Sequence, residues 1–345
     1  MSGFIQNAWY VAAWAHEVPA DGLFARTVIG EPLLLYRTAS DEVVALEDRC
    51  CHRQAPLSRG RKEGDCVRCG YHGLKFDRHG IGVEVPGMEA VPPKACVRSF
   101  PVVVHNKWIF VWMGDSTKAD PALLPDTFSN DHPEWRYLPG YLHYETPYEL
   151  IADNLLDFSH LSYVHAATLG GSEQIAQIRP KVERIERGIH VQRWVPNVPP
   201  PAYYQPLWDY GGLVDRWIEY EFILPATLLM HSGASPAGAA RDDNRTGIRF
   251  HSCQALTPES AHSTHYFFQE SHHATQGDAG TTQGLYEGLL AAFEEDRQMI
   301  TAQWRSMSLK PDVPMLPLHM DAALTLFRRL VMQVLVEESN CKDSA

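Results

Sequence analysis

The chain of 345 residues can hold two domains with cores of their own, and 45 % hydrophobic with 21 % charged residues is an ordinary globular composition. A net charge of −12 without a Lys/Arg-rich run argues against nucleic acid or an anionic membrane surface as a partner, and no stretch is apolar and long enough to span a bilayer. The opening MSGFIQNAWYVAAWAHEV lacks a basic start, and seven cysteines is an odd number, so the expected setting is a reducing cytoplasm rather than a secreted, disulfide-bonded one.

Residues 1–116 read as all-β. The runs Pro32–Tyr36, Val43–Glu47, Pro101–Val104 and Trp108–Met113 collect β-branched and aromatic residues between Gly, Asp and Asn turns. Between such strands lie Cys50-Cys51-His52 and, after sixteen intervening residues, Cys69-Gly70-Tyr71-His72. Each loop brings one thiolate and one imidazole. Zinc sites more often draw both cysteines from one loop and both histidines from another. The mixed pattern suits a Rieske [2Fe-2S] cluster, with Cys50 and Cys69 on one iron and His52 and His72 on the other. Gly60, Gly64, Gly70 and Gly73 flank these ligands and permit tight turns. Cys51 and Cys66 are extra thiols, read as small buried filler. The polar, turn-rich segment after Met113 sets the expected boundary, giving domains 1–116 and 117–345.

The second domain is mixed. Thr146-Pro147-Tyr148-Glu149 predicts a helix start with a capping box and proline at the first helical position. Strands are expected near Val191–Val195, Trp217–Leu224, Ile248–Leu256 and Ser263–Gln269, and closing helices near 284–306 and 320–338. Three Pro-, Gly- or polar-rich stretches, Val195–Pro206, Gly233–Thr246 and Ser271–Thr282, read as loops able to act as lids. His272 and His273 fall in the last and are expected to be solvated.

The first helix continues through Asp153, Asp157, His160 and His165. The first three share one face at i, i+4 and i+7, whereas His165 lies five residues past His160. For both imidazoles to bind one ion, the helix must end or bulge between them, as a π-bulge would allow. Taken alone, histidine pairs in helices are more often surface or hydrogen-bonded core residues. Near 284–306 the apolar stripe Leu285, Leu289, Ala292, Phe293, Met299, Ile300, Trp304 contains Asp296, while Glu294 faces Arg297 and Glu295 is intermediate. A carboxylate on a buried face needs a metal or an ion-pair partner. With His160 and His165, Asp296 would complete the facial triad of non-haem iron(II) oxygenases; pairing with an Arg or His is the other reading.

The stretches NAWYVAAW, CCHR…CGYHGLKFD, DNLLDFSHLSYVH, LTPE (Leu256–Glu259) and EED (Glu294–Asp296) together resemble the Rieske non-haem iron aromatic-ring oxygenases, oxygenase component. The wording is most similar to the branch of vanillate and dicamba O-demethylases and toluenesulfonate methyl-monooxygenases. This resemblance implies an α+β chain: an all-β Rieske domain, then a helix-grip (START-like) catalytic domain with an antiparallel sheet. It implies a [2Fe-2S] cluster on Cys50, His52, Cys69 and His72 and Fe(2+) on His160, His165 and Asp296. It also implies a homotrimer, fed by a separate flavin/iron–sulfur reductase using NAD(P)H. Asp157 would bridge His160 to His72 of a neighbouring subunit, and Asn154 would lie near the iron. By rough position Met230, His231, Gln254 and Tyr163 are candidates for the substrate pocket.

The expected activity is O-demethylation or methyl hydroxylation of a small aromatic acid with O2. Ring dihydroxylation of an aromatic carboxylate is the alternative on the same machinery. A Rieske electron-transfer protein without catalysis is the alternative from another class, and it would have no use for His160, His165 and Asp296.

Overall fold

The computed structural model describes residues 3–342 except 167, 170–171, 209–210 and 240–246. Contacts divide the chain into two units: one holds the chain up to Leu124 together with Thr257–Ala261, the other Pro125–Leu256 and the chain from His262 onward.

The first unit is built of short strands. Sheet one joins β1 (Trp9–Trp14), β11 (Trp108–Trp112) and β10 (Val102–His105). Every residue of WYVAAW and WIFVW is buried, so these strands are covered on both faces and lose the apolar–polar alternation of a half-exposed strand. Sheet two joins β2 (Phe24–Val28), β3 (Glu31–Arg37), β4 (Val43–Glu47) and β9 (Ser99–Phe100). Sheet three, the smallest in residues, joins β5 (Arg61–Glu63), β6 (Cys66–Arg68), β7 (Lys75–Phe76) and β8 (Gly82–Glu84). Leu34, Tyr36, Leu46, Leu57, Val67 and Phe76 form a core that also contains Cys50 and Cys69. The distant segment Thr257–Ala261 completes this unit. Thr257 Oγ1 donates to the Val11 carbonyl at 2.6 Å, and the amides of Ile29 and Gly30 donate to the carbonyls of Pro258 and Glu259 at 2.7 and 2.9 Å.

The second unit is α+β. β14 (Lys181–Ile185), β15 (Gly188–Val198), β16 (Val214–Ile223), β17 (Thr227–Pro236), β18 (Ile248–Ser260) and β19 (Ser263–His273) form an antiparallel sheet in sequence order. β12 (Trp135–Arg136) and β13 (Gly140–Tyr144) both pair with the outer edge of β19. Helices α1 (Tyr148–Leu156), α2 (Leu161–Val164), α3 (Gln174–Gln177), α4 (Ala279–Leu309) and α5 (Ala322–Lys342) complete it. The face of α4 carrying Leu285, Leu289, Ala292, Phe293 and Ile300 is buried, while Met299 from the expected stripe is exposed. Phe293 packs edge-on against Phe268 of β19 at 4.8 Å, and Tyr144 of β13 donates to the Phe293 carbonyl at 2.9 Å. An antiparallel sheet thus grips one long helix.

The described residues of the three expected lids include much regular structure. β15 runs on to Val198 and is followed by a 3-10 turn at Ala202–Leu207. Gly233 lies inside β17 because a Cβ there would sit 2.2 Å from the Ile248 carbonyl oxygen and 2.5 Å from the Trp217 ring. It marks close backbone approach rather than a turn. Residues 240–246 of that stretch lie outside the described residues. Ser271, His272 and His273 end β19, and His272 is fully buried, its Nε2 satisfied by Thr282 Oγ1 at 2.8 Å. His273 is half-buried, with its Nδ1 2.7 Å from Thr275 Oγ1.

Candidate active site

α1 starts one residue later than expected. Pro147 occupies the cap position, no side chain caps the helix, and Thr146 is fully buried. The helix stops at Leu156. Asp157 turns to extended backbone (φ −132°, ψ 98°) and its carboxylate accepts from the Ser159 amide at 2.9 Å, capping a 3-10 turn at Phe158–His160. α2 then occupies only the four residues between the two histidines: His160 precedes it and His165 ends it. One break falls before His160, at Asp157, and α2 itself ends between the imidazoles, at Val164, as the spacing requires; the ring centroids lie 5.2 Å apart. The continuous face expected for Asp153, Asp157 and His160 does not exist. Asp153 instead receives a two-pronged bond from Arg328 of α5, Nε at 2.9 Å and Nη2 closer still.

Asp296 meets the two imidazoles from α4. Its Oδ1 lies 3.2 Å from His165 Nε2 and 3.6 Å from His160 Nε2, and one donor atom from each of the three residues lies within 4.8 Å of the others. Asp296 is 4 % exposed, and no arginine pairs with it in the described residues. Asn154 Nδ2 donates to the same Oδ1 at 2.9 Å and sits 3.5 Å from His160 Nε2. His165 Nε2 is buried and makes no hydrogen bond of good geometry. Two converging ring nitrogens and one carboxylate oxygen fit a divalent transition metal with open positions.

The far sides of both rings are tied. His160 Nδ1 donates to the main-chain carbonyl of Asp157 at 2.6 Å. The expected bond from the Asp157 carboxylate to His160 is replaced by this carbonyl contact; the carboxylate turns to Ser159 and lies 3.8 Å from Arg193. His165 Nδ1 donates to Glu295 Oε2 at 2.8 Å, and Thr168 Oγ1 donates to the same oxygen at 2.7 Å. Both tautomers are thereby set with Nε2 as the free acceptor. Burial pushes the His160 pKa below its ordinary value, although Asp296 opposes it. Burial acts the same way on His165, but Asp296 and Glu295 outweigh it and hold the pKa up. Glu295 was not singled out by sequence; its signal was its place beside a triad carboxylate on a half-buried helix face.

A cavity with about 580 Å³ of empty space, part of it open to solvent, adjoins the triad. Its apolar wall includes Leu155, Phe158, Leu289 and Phe293. Met230 and Gln254 line it as expected by position, but Gln254 is already tied at both ends, accepting from Tyr266 Oη and donating to Ser252 Oγ. His231 follows Met230 on β17 and so points to the other face of the sheet, where it stacks on His251 at 4.8 Å. Tyr163 is 69 % exposed and does not line the cavity. Five polar lining groups were unforeseen: Tyr203, Tyr204, Arg216, Ser232 and Glu270.

In the first unit the two Cys/His loops repeat one geometry. The carbonyls of Cys50 and Cys69 accept from the amides of Gln54 and Gly73, and their own amides donate to Ala55 and Leu74. Gln54 and Gly73, each four residues on, both have positive φ (56° and 78°). Gly60 lets the loops meet, since a Cβ there would lie 2.0 Å from the Arg68 carbonyl oxygen. Cys50 and Cys69 are buried side by side, whereas His52 and His72 are exposed with ring centroids 4.6 Å apart. Burial, reinforced by the Cys69 thiol, pushes the Cys50 thiol up to about 11. The Cys50 thiol gives up its proton only against a strong cationic charge, as a cluster iron would provide. Cys51 is exposed and Cys66 partly so; neither is buried filler. All seven cysteines are free.

A Cys2His2 pair of loops in one unit and a two-histidine, one-carboxylate triad beside a pocket in the other define an iron-dependent oxygenase with its own electron relay. Residues 8–101 match the Rieske [2Fe-2S] domain, and residues 144–337 match the vanillate O-demethylase oxygenase C-terminal domain. The iron–sulfur subunit of the toluene-4-sulfonate monooxygenase system of Comamonas testosteroni is 45 % identical over 342 residues, covering 97 % of this chain and 98 % of the relative. A vanillate O-demethylase oxygenase subunit from Pseudomonas sp. is 33 % identical over 350 residues, covering 99 % and 98 %. A crystal structure of dicamba monooxygenase with non-haem iron and dicamba superposes with a TM-score of 0.81 at 29 % identity, covering 98 % of this chain and 99 % of the other. The chain belongs to the Rieske non-haem iron oxygenases, and it is the oxygenase component of a monooxygenase system acting on an aromatic substrate. It works with a [2Fe-2S] cluster, a non-haem iron and a reductase partner. Among the described residues no helix is long and apolar enough to cross a membrane.

Proposed function

We propose that this oxygenase hydroxylates a methyl group or removes a methoxy methyl from a small aromatic acid, a sulfonate or carboxylate. The observation that carries this reading is a single cavity lined at once by the triad, by apolar side chains and by the buried cation Arg216. The 45 % identical relative, named for toluene-4-sulfonate, supports the same substrate class. Cys50, His52, Cys69 and His72 would hold the cluster, and His160, His165 and Asp296 the iron. When bound, these groups supply single electrons and oxygen activation. The chain contributes the rest. Leu155, Phe158, Leu289 and Phe293 hold an aromatic ring and exclude water. Asn154 holds Asp296 Oδ1, while Glu295 and the Asp157 carbonyl aim the imidazoles.

The division of labour follows the domains 1–116 and 117–345. His52 and His72 are exposed and the Asp157 side chain is 16 % exposed, which supports His72 docking near Asp157 of a second copy in a homotrimer. The electron donor in this reading is a flavin/iron–sulfur reductase using NAD(P)H, and the setting a reducing cytoplasm, consistent with seven free thiols. Anaerobically purified protein should carry about three irons and two acid-labile sulfides per chain. With a borrowed reductase it should couple NADH oxidation to oxygen uptake on methyl- or methoxy-substituted benzenesulfonates or benzoates, yielding a hydroxymethyl product or formaldehyde. Zinc in the first unit, or a cis-diol as the sole product, would overturn this reading.

A further inference from the structure

The pocket wall contains a buried cation and a half-buried acid that oxidation chemistry does not account for. Arg216 of β16 and Glu270 of β19 both line the cavity. Arg216 is 6 % exposed, and its guanidinium carbon lies 5.3 Å from the centre of the Tyr204 ring. Tyr203 Oη donates to Glu270 Oε1 at 2.5 Å. A guanidinium cannot lose its proton in a protein, so a buried one needs anionic charge nearby. Glu270 is a carboxylate in reach of its field, yet burial pushes that carboxyl up to about 7, against the opposing effects of Tyr203 and Arg216. Other titratable groups acting here include the buried cation Arg193 of β15, which Arg216 opposes, and Tyr203, Tyr204 and Tyr266, all three pushed up by burial and so un-ionised at neutral pH. β17 and β18 add the uncharged Ser232 and Gln254, while α4 adds Leu289, Phe293 and the triad carboxylate Asp296, with His160 and His165 on the same wall.

We propose that Arg216 anchors the acid group of an aromatic sulfonate or carboxylate, and that Glu270 takes up a proton from solvent as this anion binds. The inference rests on the aromatic-acid reading above and extends it to the recognising residues. An incoming anion competes with Glu270 for one cation in a low-dielectric wall, and two like charges there disfavour each other's ionised form. Protonation relieves the conflict and converts Glu270 from an acceptor into a group that also donates an O–H. The pocket then presents a cation and a new donor to an acid. To a neutral analogue it presents a cation already balanced by Glu270.

The test is calorimetric titration of benzenesulfonate, ionised at every workable pH, into the holoenzyme at pH 6 and pH 8 in buffers of different ionisation enthalpy. The expected uptake is about 0.9 proton per site at pH 8 and about 0.1 at pH 6. Neutral benzenesulfonamide should take up none. Glu270→Gln should bind the sulfonate with no linked proton at either pH. Arg216→Gln should weaken sulfonate binding at least tenfold while keeping sulfonamide affinity; Arg216→Lys should recover part of the loss, and thermal melts report whether each variant is folded. Sulfonate binding without proton uptake at pH 8, or equally tight binding by folded Arg216→Gln, overturns the inference. If acids are nonetheless oxidised, only this inference falls. If neutral aromatics bind and no acid does, the substrate-class reading falls with it.

Discussion

Each imidazole of the triad is gripped from behind by an oxygen, a carbonyl for His160 and a carboxylate for His165, so that its Nε2 lone pair faces Asp296. The carboxylate grip is the stronger, because Glu295 adds negative charge to a hydrogen bond and Thr168 fixes its oxygen. Removing that charge while keeping the shape should weaken iron binding without touching the cluster. For Glu295→Gln we expect roughly a 10- to 100-fold loss of iron affinity, with an unchanged visible spectrum of the cluster. Equilibrium dialysis against ferrous iron checks this; wild-type affinity would show that Glu295 serves only the helix surface. Asp296 itself was legible from its place in an apolar stripe, since a lone buried acid demands an explanation. Glu295 was not, because a half-exposed glutamate next to an acid reads as a solvated neighbour until a histidine from another element is placed beside it.

At the scale of elements, the site depends on a helix that stops early. Asp157 leaves the helix, caps the turn that follows with its carboxylate, and offers its carbonyl to His160. An asparagine can keep the cap and the carbonyl but not the charge. We expect Asp157→Asn to retain both metals and to lose roughly 100-fold or more in coupled oxygen uptake, a loss of about 3 kcal/mol in transition-state stabilisation. Full coupled activity with both metals bound would reject a role for the charge in joining the redox centres. Strands and helices with clean periodicity, such as β18, β19 and the buried face of α4, were readable in advance. β17 was hidden because Gly233, demanded by the approach of Ile248 and Trp217, looks like a turn residue in a one-dimensional string. His272 was misread for a related reason, since its partner Thr282 belongs to α4. The alternation of β17 likewise sends His231 and Met230 to opposite faces, which position alone does not reveal.

At the scale of the whole chain, the first unit closes only with help from the end of β18. Thr257, Pro258 and Glu259 there bond to Val11, Ile29 and Gly30. A fragment ending at Leu124 would leave those main-chain groups without their partners, and each lost hydrogen bond costs about 1 kcal/mol. We expect such a fragment, reconstituted with iron and sulfide, to melt well below the cluster transition of the intact chain. A synthetic peptide spanning 255–262 should restore part of the difference. Equal melting temperatures would show the borrowed segment to be dispensable.

That borrowed strand end also sets an order of events during synthesis. Residues 1–124 leave the ribosome long before residue 261 does, so the nascent relay unit must wait, its β1 and β2 edge incompletely paired, while more than a hundred further residues are made. Cluster insertion and the sealing of that edge are therefore separable in time, and a cell that loads iron co-translationally would be loading an unfinished fold.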